Sequence, residues 1–253
     1  MSDKFTLDML DIPSGWSRGR GDWAGVVAAM KRGETVEVIQ EVGSICWRNS
    51  LPEKHSLCWD GENLSTIKGR IWISFTHRRF APESVLPKVQ WHPRVLWIGI
   101  GCKTGTSREL IEAAIQSVCR ANHLAEGAIA GIATIDTKVG EIGLLELCAA
   151  RNWPLKTFPA NILSSVEVPN PSDVAAIAVG TPSVAEAAAL CAIAQIETAH
   201  QHQKTQTSIN HLRFSPLMGA SHPLLVPKKI IRSDKKLGCV TVAVAVCPID
   251  YLG

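Results

Sequence analysis

The sequence lacks the long apolar runs that would place the chain in a membrane. Its longest apolar stretches, 240–247 and 185–196, are shorter than the roughly 20 residues that cross a bilayer. The amino terminus starts polar and never builds the apolar segment and small-residue cleavage site of a secretory signal. We therefore expect no membrane partner and a cytoplasmic location.

The cysteines lack the spacing of a metal site. None of the eight cysteines belongs to a C-x-x-C pair or clusters with histidine, so zinc has little support. His200 and His202 would not share a helical face, and we interpret them as solvent histidines. In a reducing compartment the cysteines at 119, 148 and 191 act as small apolar residues. We expect no metal and no cofactor of the protein's own.

The chain also lacks a strong charge of either sign. A formal net charge of +3 is too small to indicate a nucleic-acid surface, although a modest anionic ligand fits it. With 253 residues, 46% of them hydrophobic, the chain can bury the core of one large domain or two modest ones.

Composition divides the chain near residue 90. Six of the eight tryptophans lie between 16 and 91, and we interpret them as core residues. A helix over 25–31 ended by Gly33, and strands over 35–40 and 70–75, predict a smaller α/β domain at 1–90. The prolines at 82, 87 and 93 place a linker in 81–93, so the second domain is 91–253.

The second domain alternates strands and helices, which predicts a three-layer α/β domain with a central mixed sheet. We expect a mobile surface loop over 197–223 and a closing hairpin. The predicted strands are 95–100, 128–135, 155–158, 224–231 and 239–246, and the predicted helices are 106–121, 141–151 and 182–194, the last capped by Thr181 with Pro182 in its first position.

A glycine-rich turn follows the first strand of this domain. Gly99, Gly101 and Gly105 precede a helix that Thr106 and Glu109 begin with the spacing of a capping box. The free amides of such a turn, aided by the helix dipole, can bind a carboxylate or phosphate. A tight turn without a ligand explains the pattern equally well.

Nucleotide-binding turns differ from this one. Its G-x-G-x-x-x-G spacing is one residue longer than the dinucleotide fingerprint. The Lys103-Thr104 pair precedes the last glycine, whereas in a Walker loop the lysine follows it. Lys103 and Arg108 would instead add positive charge beside the turn.

Two further strand ends carry candidate residues. Lys138 and Glu141 lie where a strand meets a helix, the edge at which open α/β sheets bind ligands. Lys138 could pair with a carboxylate and Glu141 could act as a base. A solvated lysine and a helix-terminal acid are the alternative.

The alanine-rich helix begins with a second set of free amides at 180–183. Two helix starts could therefore converge on one anionic ligand. Glu186, one turn into this helix, is either a buried functional acid or a first-turn surface acid. No G-x-S-x-G elbow surrounds Ser183, so a serine-hydrolase triad has little support.

Spaced motifs resemble the carboxyl-terminal domain of the CbiG/CobE family of cobalamin biosynthesis. In the family's order they are P-R-V at 93–95, G-I-G-C at 99–102, G-T-S at 105–107, Thr134, Lys138, E-I-G-L at 141–144, P-S at 171–172, V-G-T-P-S-V-A-E at 179–186, V-P-K at 226–228 and V-T-V-A at 240–243. Residues 1–90 are similar to the family's middle domain.

The resemblance implies opening of the ring A lactone of cobalt-precorrin-5A with release of acetaldehyde. Glu141 would activate water and Lys138 would assist it, while the remaining residues hold the carboxylates of a tetrapyrrole intermediate, with or without cobalt. The implied substrate-binding residues are Gly99, Gly101, Cys102, Lys103, Thr106, Ser107, Gly180, Thr181, Ser183, Glu186 and Lys228.

The sequence departs from the family at Gly140, where an acid is usual, and at Ile142, where proline is common. Nothing in residues 1–90 resembles the further amino-terminal domain of full-length lactone hydrolases. A CobE-like carrier without chemistry, or a subunit that needs this domain from a separate chain, is therefore the alternative. A dinucleotide-binding oxidoreductase ranks third. Other corrin-pathway enzymes and a homodimeric partner are compatible with each of these.

Overall fold

The computed structural model describes residues 5–7, 13–59, 66–80, 85–206, 224–232, 238–248 and 250–251. Its internal contacts divide the chain into two compact units. The first comprises Met1–Val95, His123–Ala128 and Pro248–Gly253, and the second comprises Leu96–Asn122 and Ile129–Cys247. Both units are mixed α/β structures built around a five-stranded sheet.

The first unit places one helix against its sheet. The elements are β1 (Ser17–Gly21), α1 (Trp23–Arg32), β2 (Val36–Gln40), β3 (Leu57–Trp59), β4 (Gly69–Ile73) and β5 (Lys88–His92). Strands β2 to β5 pair in parallel, β1 pairs antiparallel to β5, and the order is β1-β5-β4-β2-β3. Gly33 ends α1 in the left-handed conformation, with a φ of 77°, which confirms the predicted helix end.

Tryptophan forms much of the core of the first unit, as the composition predicts. Trp47 and Trp91 are buried among aliphatic residues of α1 and the sheet. Trp16, Trp23 and Trp59 are partly buried and pack against the same cluster. Several of these rings meet edge to face, an arrangement that aromatic pairs prefer.

The predicted linker over 81–93 is wrong in its second half, because β5 occupies 88–92. Pro87 and Pro93 flank this strand and leave its ladder hydrogen bonds intact. Val89 and Trp91 are buried in the core, and β5 pairs in parallel with β4. Residues 81–84 lie outside the described part of the chain.

The second unit contains the rest of the secondary structure. Its elements are β6 (Leu96–Cys102), α2 (Arg108–Ala121), β7 (Ile129–Ile135), α3 (Ile142–Arg151), β8 (Leu155–Phe158), α4 (Ala160–Ser164), α5 (Asp173–Val179), α6 (Val184–Gln206), β9 (Leu224–Arg232) and β10 (Cys239–Val246). The strand order is β8-β7-β6-β10-β9, with β6, β7 and β8 parallel and β10 antiparallel to both neighbours. The mixed sheet and the closing hairpin are confirmed.

Helices cover both faces of this sheet. Helices α2 and α3 follow consecutive crossovers in one direction along the sheet, and the right-handed rule places both on one face. Helix α6 packs on the other face: a Cβ at Gly99 of β6 would lie 1.8 Å from the Ala185 carbonyl oxygen. The three-layer architecture is therefore confirmed.

The start of α2 differs from the predicted capping box. Ser107 is the N-cap, and its hydroxyl accepts a hydrogen bond from Leu110 N at 3.4 Å. The Thr106 hydroxyl instead donates to the Lys103 carbonyl at 2.6 Å. Because Thr106 and Ser107 both carry hydroxyls, the sequence does not show which of them caps α2. The turn at 103–106 decides for Ser107, because it engages the Thr106 hydroxyl.

Helix α6 starts later and ends later than predicted. It begins at Val184, so Pro182 is not its first residue and Thr181 is not its cap. It continues to Gln206, which corrects the loop predicted from 197 onwards and places the backbone of both histidines, 200 and 202, in the helix. Residues 207–223 of that predicted loop lie outside the described residues.

Candidate functional site

The turn after β6 depends on glycine at one position. Gly105 has a φ of +77°, and a Cβ there would meet no atom within 4 Å. Backbone conformation, not space, therefore requires glycine. The Gly105 amide donates a 2.7 Å hydrogen bond to Oε1 of Glu141, so this amide is already occupied by a carboxylate.

Glu141 is a buried acid, with 8% of its surface exposed. Its Oε2 accepts a hydrogen bond from Lys138 Nζ at 3.2 Å, and the same amine donates to Thr104 Oγ1 at 2.8 Å. Glu141 also stands at the N-cap position of α3, but its side chain does not cap that helix. The structure thus brings together the two residues predicted as catalytic and fixes the carboxylate with donors from two loops.

An open pocket of about 560 Å³ lies beside this pair, between the starts of α2 and α3. The two helix starts are in close contact, because a Cβ at Gly143 would lie 2.3 Å from the Thr106 carbonyl oxygen. First-turn amides of both helices therefore border the pocket and favour a negative charge. The lining residues are Thr104, Gly105, Thr106, Ser107, Arg108, Glu109, Thr137, Gly140, Glu141, Ile142, Gly143 and Glu146.

Cys102 ends β6 next to this pair and is half-buried. Burial raises the pKa of its thiol, with Glu141 acting in the same direction and Lys138 opposing it. A raised pKa keeps the side chain a neutral thiol near neutral pH. Cys102 is therefore poorly suited to nucleophilic attack.

Two of the predicted glycines have packing reasons of their own. A Cβ at Gly99 would collide with Ala185 of α6, and one at Gly101 would lie 2.4 Å from Thr241 Oγ1. The Thr241 hydroxyl donates to the Gly101 carbonyl at 2.9 Å. Close packing of α6 on β6 thus explains Gly99, and the Thr241 side chain of the neighbouring strand β10 explains Gly101. Their part in substrate binding stays a prediction.

The other residues predicted on this turn are arranged around its backbone. Lys103 is exposed, and its carbonyl accepts the Thr106 hydroxyl, which leaves the lysine amine on the solvent side. Thr106 is buried, and Ser107 caps α2. Of these, Lys103 is placed to meet an anionic group that approaches from solvent.

The start of α6 lies on the opposite face of the sheet at the same edge. Thr181 and Ser183 are buried, with 0% and 2% of their surfaces exposed. Among the described residues, neither hydroxyl has a hydrogen-bond partner. Gly180 precedes them with a φ of +73° and is exposed.

Glu186 is fully buried in α6, and its carboxylate is used by the protein itself. Oε1 accepts from Asn170 Nδ2 at 2.8 Å and from the Lys228 amide at 3.0 Å, while Oε2 accepts from the Asn170 amide at 3.3 Å. The Lys228 amine donates to the Asn170 carbonyl at 2.5 Å. Glu186 therefore ties the loop before α5 and strand β9 to α6, and its predicted role in substrate binding remains untested.

Three hydrogen-bond partners of Lys138, Glu141 and Glu186 were not predicted from the sequence. Thr104 and the Gly105 amide hold Lys138 and Glu141, and Asn170 holds Glu186. Thr104 lies inside the candidate turn, so its position was a usable signal. Nothing in the residues around Asn170 indicated a buried acid 16 positions away.

Neither a metal cluster nor a membrane-spanning helix is present in the part of the chain that the structure describes. No group of three or more histidine, cysteine, aspartate or glutamate side chains there could hold a metal ion. None of the described helices is long and apolar enough to cross a membrane.

The fold is that of a mixed-sheet α/β protein, with a buried acid and lysine at the carboxyl ends of its parallel strands, the edge at which such sheets usually bind ligands. Comparison with known families identifies which one. The family described as cobalamin synthesis G C-terminus, CbiG_C, matches residues 96–245, and the cobalamin biosynthesis central region, CbiG_mid, matches residues 5–93. The chain belongs to the CbiG family of cobalamin biosynthesis proteins.

Individual relatives carry related names. Cobalt-precorrin-5A hydrolase of Priestia megaterium is 29% identical over 174 residues, which are 65% of this chain and 46% of that protein. The Salmonella typhimurium enzyme of the same name is 29% identical over 131 residues, 52% of this chain and 35% of that protein. The chain thus spans less than half the length of these relatives.

A similar solved structure is that of CobE, a protein from the cobalamin (vitamin B12) biosynthetic pathway. It is 27% identical, covers 60% of this chain and 89% of its own, and superposes with a TM-score of 0.45.

Proposed function

We propose that this chain hydrolyses the lactone of cobalt-precorrin-5A. The observation that carries the proposal is the buried Glu141, held by Lys138 and the Gly105 amide beside an open pocket at the carboxyl edge of the sheet. Family membership and the names of the two curated relatives support the substrate and the reaction.

The arrangement suits water attack on a lactone carbonyl. Glu141 would take the proton of the attacking water, and the tetrahedral oxyanion would form near the Lys138 amine and the first-turn amides of α2 and α3. Collapse breaks the ring C–O bond, and the proton returns from Glu141 to the departing oxygen. Water is consumed, and one carboxylate and one hydroxyl are formed. The hydroxyl-bearing carbon then leaves with its methyl group as acetaldehyde: the hydroxyl loses its proton, the carbon–carbon bond to the macrocycle breaks, and the macrocycle carbon that keeps the electron pair takes up a proton.

Two cations, Lys103 and Arg108, lie at or beside a pocket whose lining also includes the acids Glu109, Glu141 and Glu146. Lys103 is exposed on the turn, and Arg108 begins α2 at the pocket wall. In this proposal both bind peripheral carboxylates while Lys138 stays with Glu141. The enzyme acts in the cytoplasm and needs no cofactor of its own.

Substitution of the base tests the assignment. Glu141→Gln keeps the shape but cannot take a proton, so we expect kcat for acetaldehyde release to fall by roughly 10²- to 10⁴-fold. Glu167→Gln changes the same group at an exposed position of this unit and should keep the wild-type rate. Turnover by Glu141→Gln at the wild-type rate would disprove the base assignment.

A non-catalytic carrier is the second candidate, because the lysine and the glycine amide that hold Glu141 are also what a purely structural buried acid would have. A carrier would bind the corrinoid and return it unchanged. The same outcome from this chain alone, followed by turnover after addition of a further domain, would indicate a subunit of a larger hydrolase.

A further inference from the structure

The start of α6 has polar groups that the protein leaves unused. Among the described residues, the buried hydroxyls of Thr181 and Ser183 have no hydrogen-bond partner. A buried hydroxyl without a partner costs about 1–3 kcal/mol, so two of them in one turn indicate that something outside the described residues satisfies them.

Ser183 stands where an N-cap residue stands, because its carbonyl accepts the Ala187 amide at 3.2 Å. The side chain of an N-cap serine usually accepts a first-turn amide, but the Ser183 hydroxyl makes no such bond. The Ser183 hydroxyl therefore does not cap this 23-residue helix, whose first-turn amides have no acceptor within the helix itself. Amides, hydroxyls and the helix dipole together form a site for an anion.

We propose that this turn is a second subsite, which binds one peripheral carboxylate of the corrinoid substrate. This inference rests on the proposed function for the identity of the ligand. Thr181 Oγ1, Ser183 Oγ and the first-turn amides of α6 donate to the carboxylate.

The negative charge of Glu186 does not prevent anion binding at this turn. Three donors, two from Asn170 and one from the Lys228 amide, already engage its carboxylate. The Glu186 side chain binds the loop before α5 and strand β9. The turn at 181–183 therefore remains for a ligand. The turn is also near the surface: Gly180 is exposed, and Pro182 and Val184 are partly exposed.

The two subsites lie within reach of one macrocycle. Val184 at the start of α6 contacts the position of a Cβ on Gly101, and Gly105 binds Glu141. The two glycines are four positions apart in sequence, so their Cα atoms are at most about 14 Å apart. A ring with carboxylate arms on its rim can place one arm at each subsite across the end of β6.

Binding of cobyrinic acid, a stable corrinoid polycarboxylate, tests the subsite without turnover. Ser183→Ala and Thr181→Val each remove one hydroxyl at nearly constant shape. We expect each to weaken binding roughly tenfold, as for a hydrogen bond to a charged group, and to leave the thermal midpoint of the free protein unchanged or higher. Ser164→Ala, at an exposed hydroxyl of α4, is the matched control.

A second ligand, in which the carboxylates are converted to uncharged esters, completes the test. The methyl ester of cobyrinic acid should bind wild type and both variants with equal affinity, because it offers no carboxylate to the turn. Equal affinity of wild type and variants for the free acid, or no binding of the acid to wild type, would overturn the subsite. Acetaldehyde release with unaltered KM in Ser183→Ala would reject the subsite and keep the hydrolase. Binding of the free acid that depends on the two hydroxyls, without release of acetaldehyde, would support the subsite and reject the hydrolase.

Discussion

Glu141 and Glu186 are both buried carboxylates of the second unit, yet their surroundings give them different tasks. Glu186 is fully buried, and its donors belong to a loop and a strand that it holds in place. Glu141 is bordered by an open pocket and is held by a lysine and a glycine amide. Contact with the pocket, not burial alone, is the reason why Glu141 and not Glu186 is proposed as the base.

His92 is a buried residue whose ionisation should affect the first unit. Its Nδ1 lies 2.8 Å from the Ser74 carbonyl oxygen. Burial lowers the pKa of His92, the nearby His77 acts in the same direction, and the bond to Ser74 opposes them. The folded state therefore favours the neutral ring.

We expect the free energy of unfolding to fall as pH decreases below about 6.5. In that range the unfolded chain takes up a proton at His92, whereas the folded chain does not until a lower pH. Urea unfolding followed by tryptophan fluorescence at pH 7.5 and 5.5 measures this loss. His92→Gln should show a smaller loss than wild type, and His55→Gln should not. Equal losses in wild type and His92→Gln would contradict the argument.

At the scale of elements, the alternation of apolar strands and periodic helices was enough to predict the mixed sheet and the hairpin. Helix starts were harder to predict, because Thr106 and Ser107 both satisfy capping chemistry and only the turn at Lys103 selects Ser107. The prolines at 87 and 93 indicated a linker, but β5 lies between them. The sequence does not show that a parallel neighbour, β4, pairs with that short segment.

Gly99 of β6 leads to a prediction about how closely α6 packs on the sheet. A Cβ at Gly99 would lie 1.8 Å from the Ala185 carbonyl oxygen and 3.1 Å from Ala189 Cβ, so Gly99→Ala must push α6 away from the sheet. We expect a loss of about 3 kcal/mol in the free energy of unfolding, measured with urea. Gly140→Ala, where no atom lies within 4 Å of the added Cβ, should cost little. Equal stability of the two variants would show that α6 does not pack as described.

At the scale of the whole molecule, the chain returns to its first unit after completing the second sheet. Residues 123–128 and 248–253 group with the first unit by their contacts. Asp250 is buried there, accepting hydrogen bonds from Trp16 Nε1 at 2.7 Å and from the Ser44 amide at 2.8 Å. Composition predicted a tryptophan-rich unit, but it contains no signal for an acid 234 residues away that binds one of those rings.

Asp250 should therefore stabilise a unit that is almost the whole chain away in sequence. Asp250→Ala leaves the Trp16 ring nitrogen and the Ser44 amide without their acceptor, and we expect it to cost about 2–3 kcal/mol. Tryptophan fluorescence during urea unfolding reports mainly on this unit. Asp173→Ala, an exposed first-turn acid of α5 in the other unit, is the control and should leave that transition in place. An unchanged midpoint in Asp250→Ala would contradict the assignment.

The central claim is that this chain opens the lactone of cobalt-precorrin-5A, and anaerobic incubation with that compound tests it most directly. Released acetaldehyde is trapped and quantified while the corrinoid spectrum is followed. We expect many equivalents of acetaldehyde per chain and a corrinoid spectrum that converts as acetaldehyde is released. A spectrum that shifts on binding but never converts, without acetaldehyde, would contradict the claim and favour the carrier.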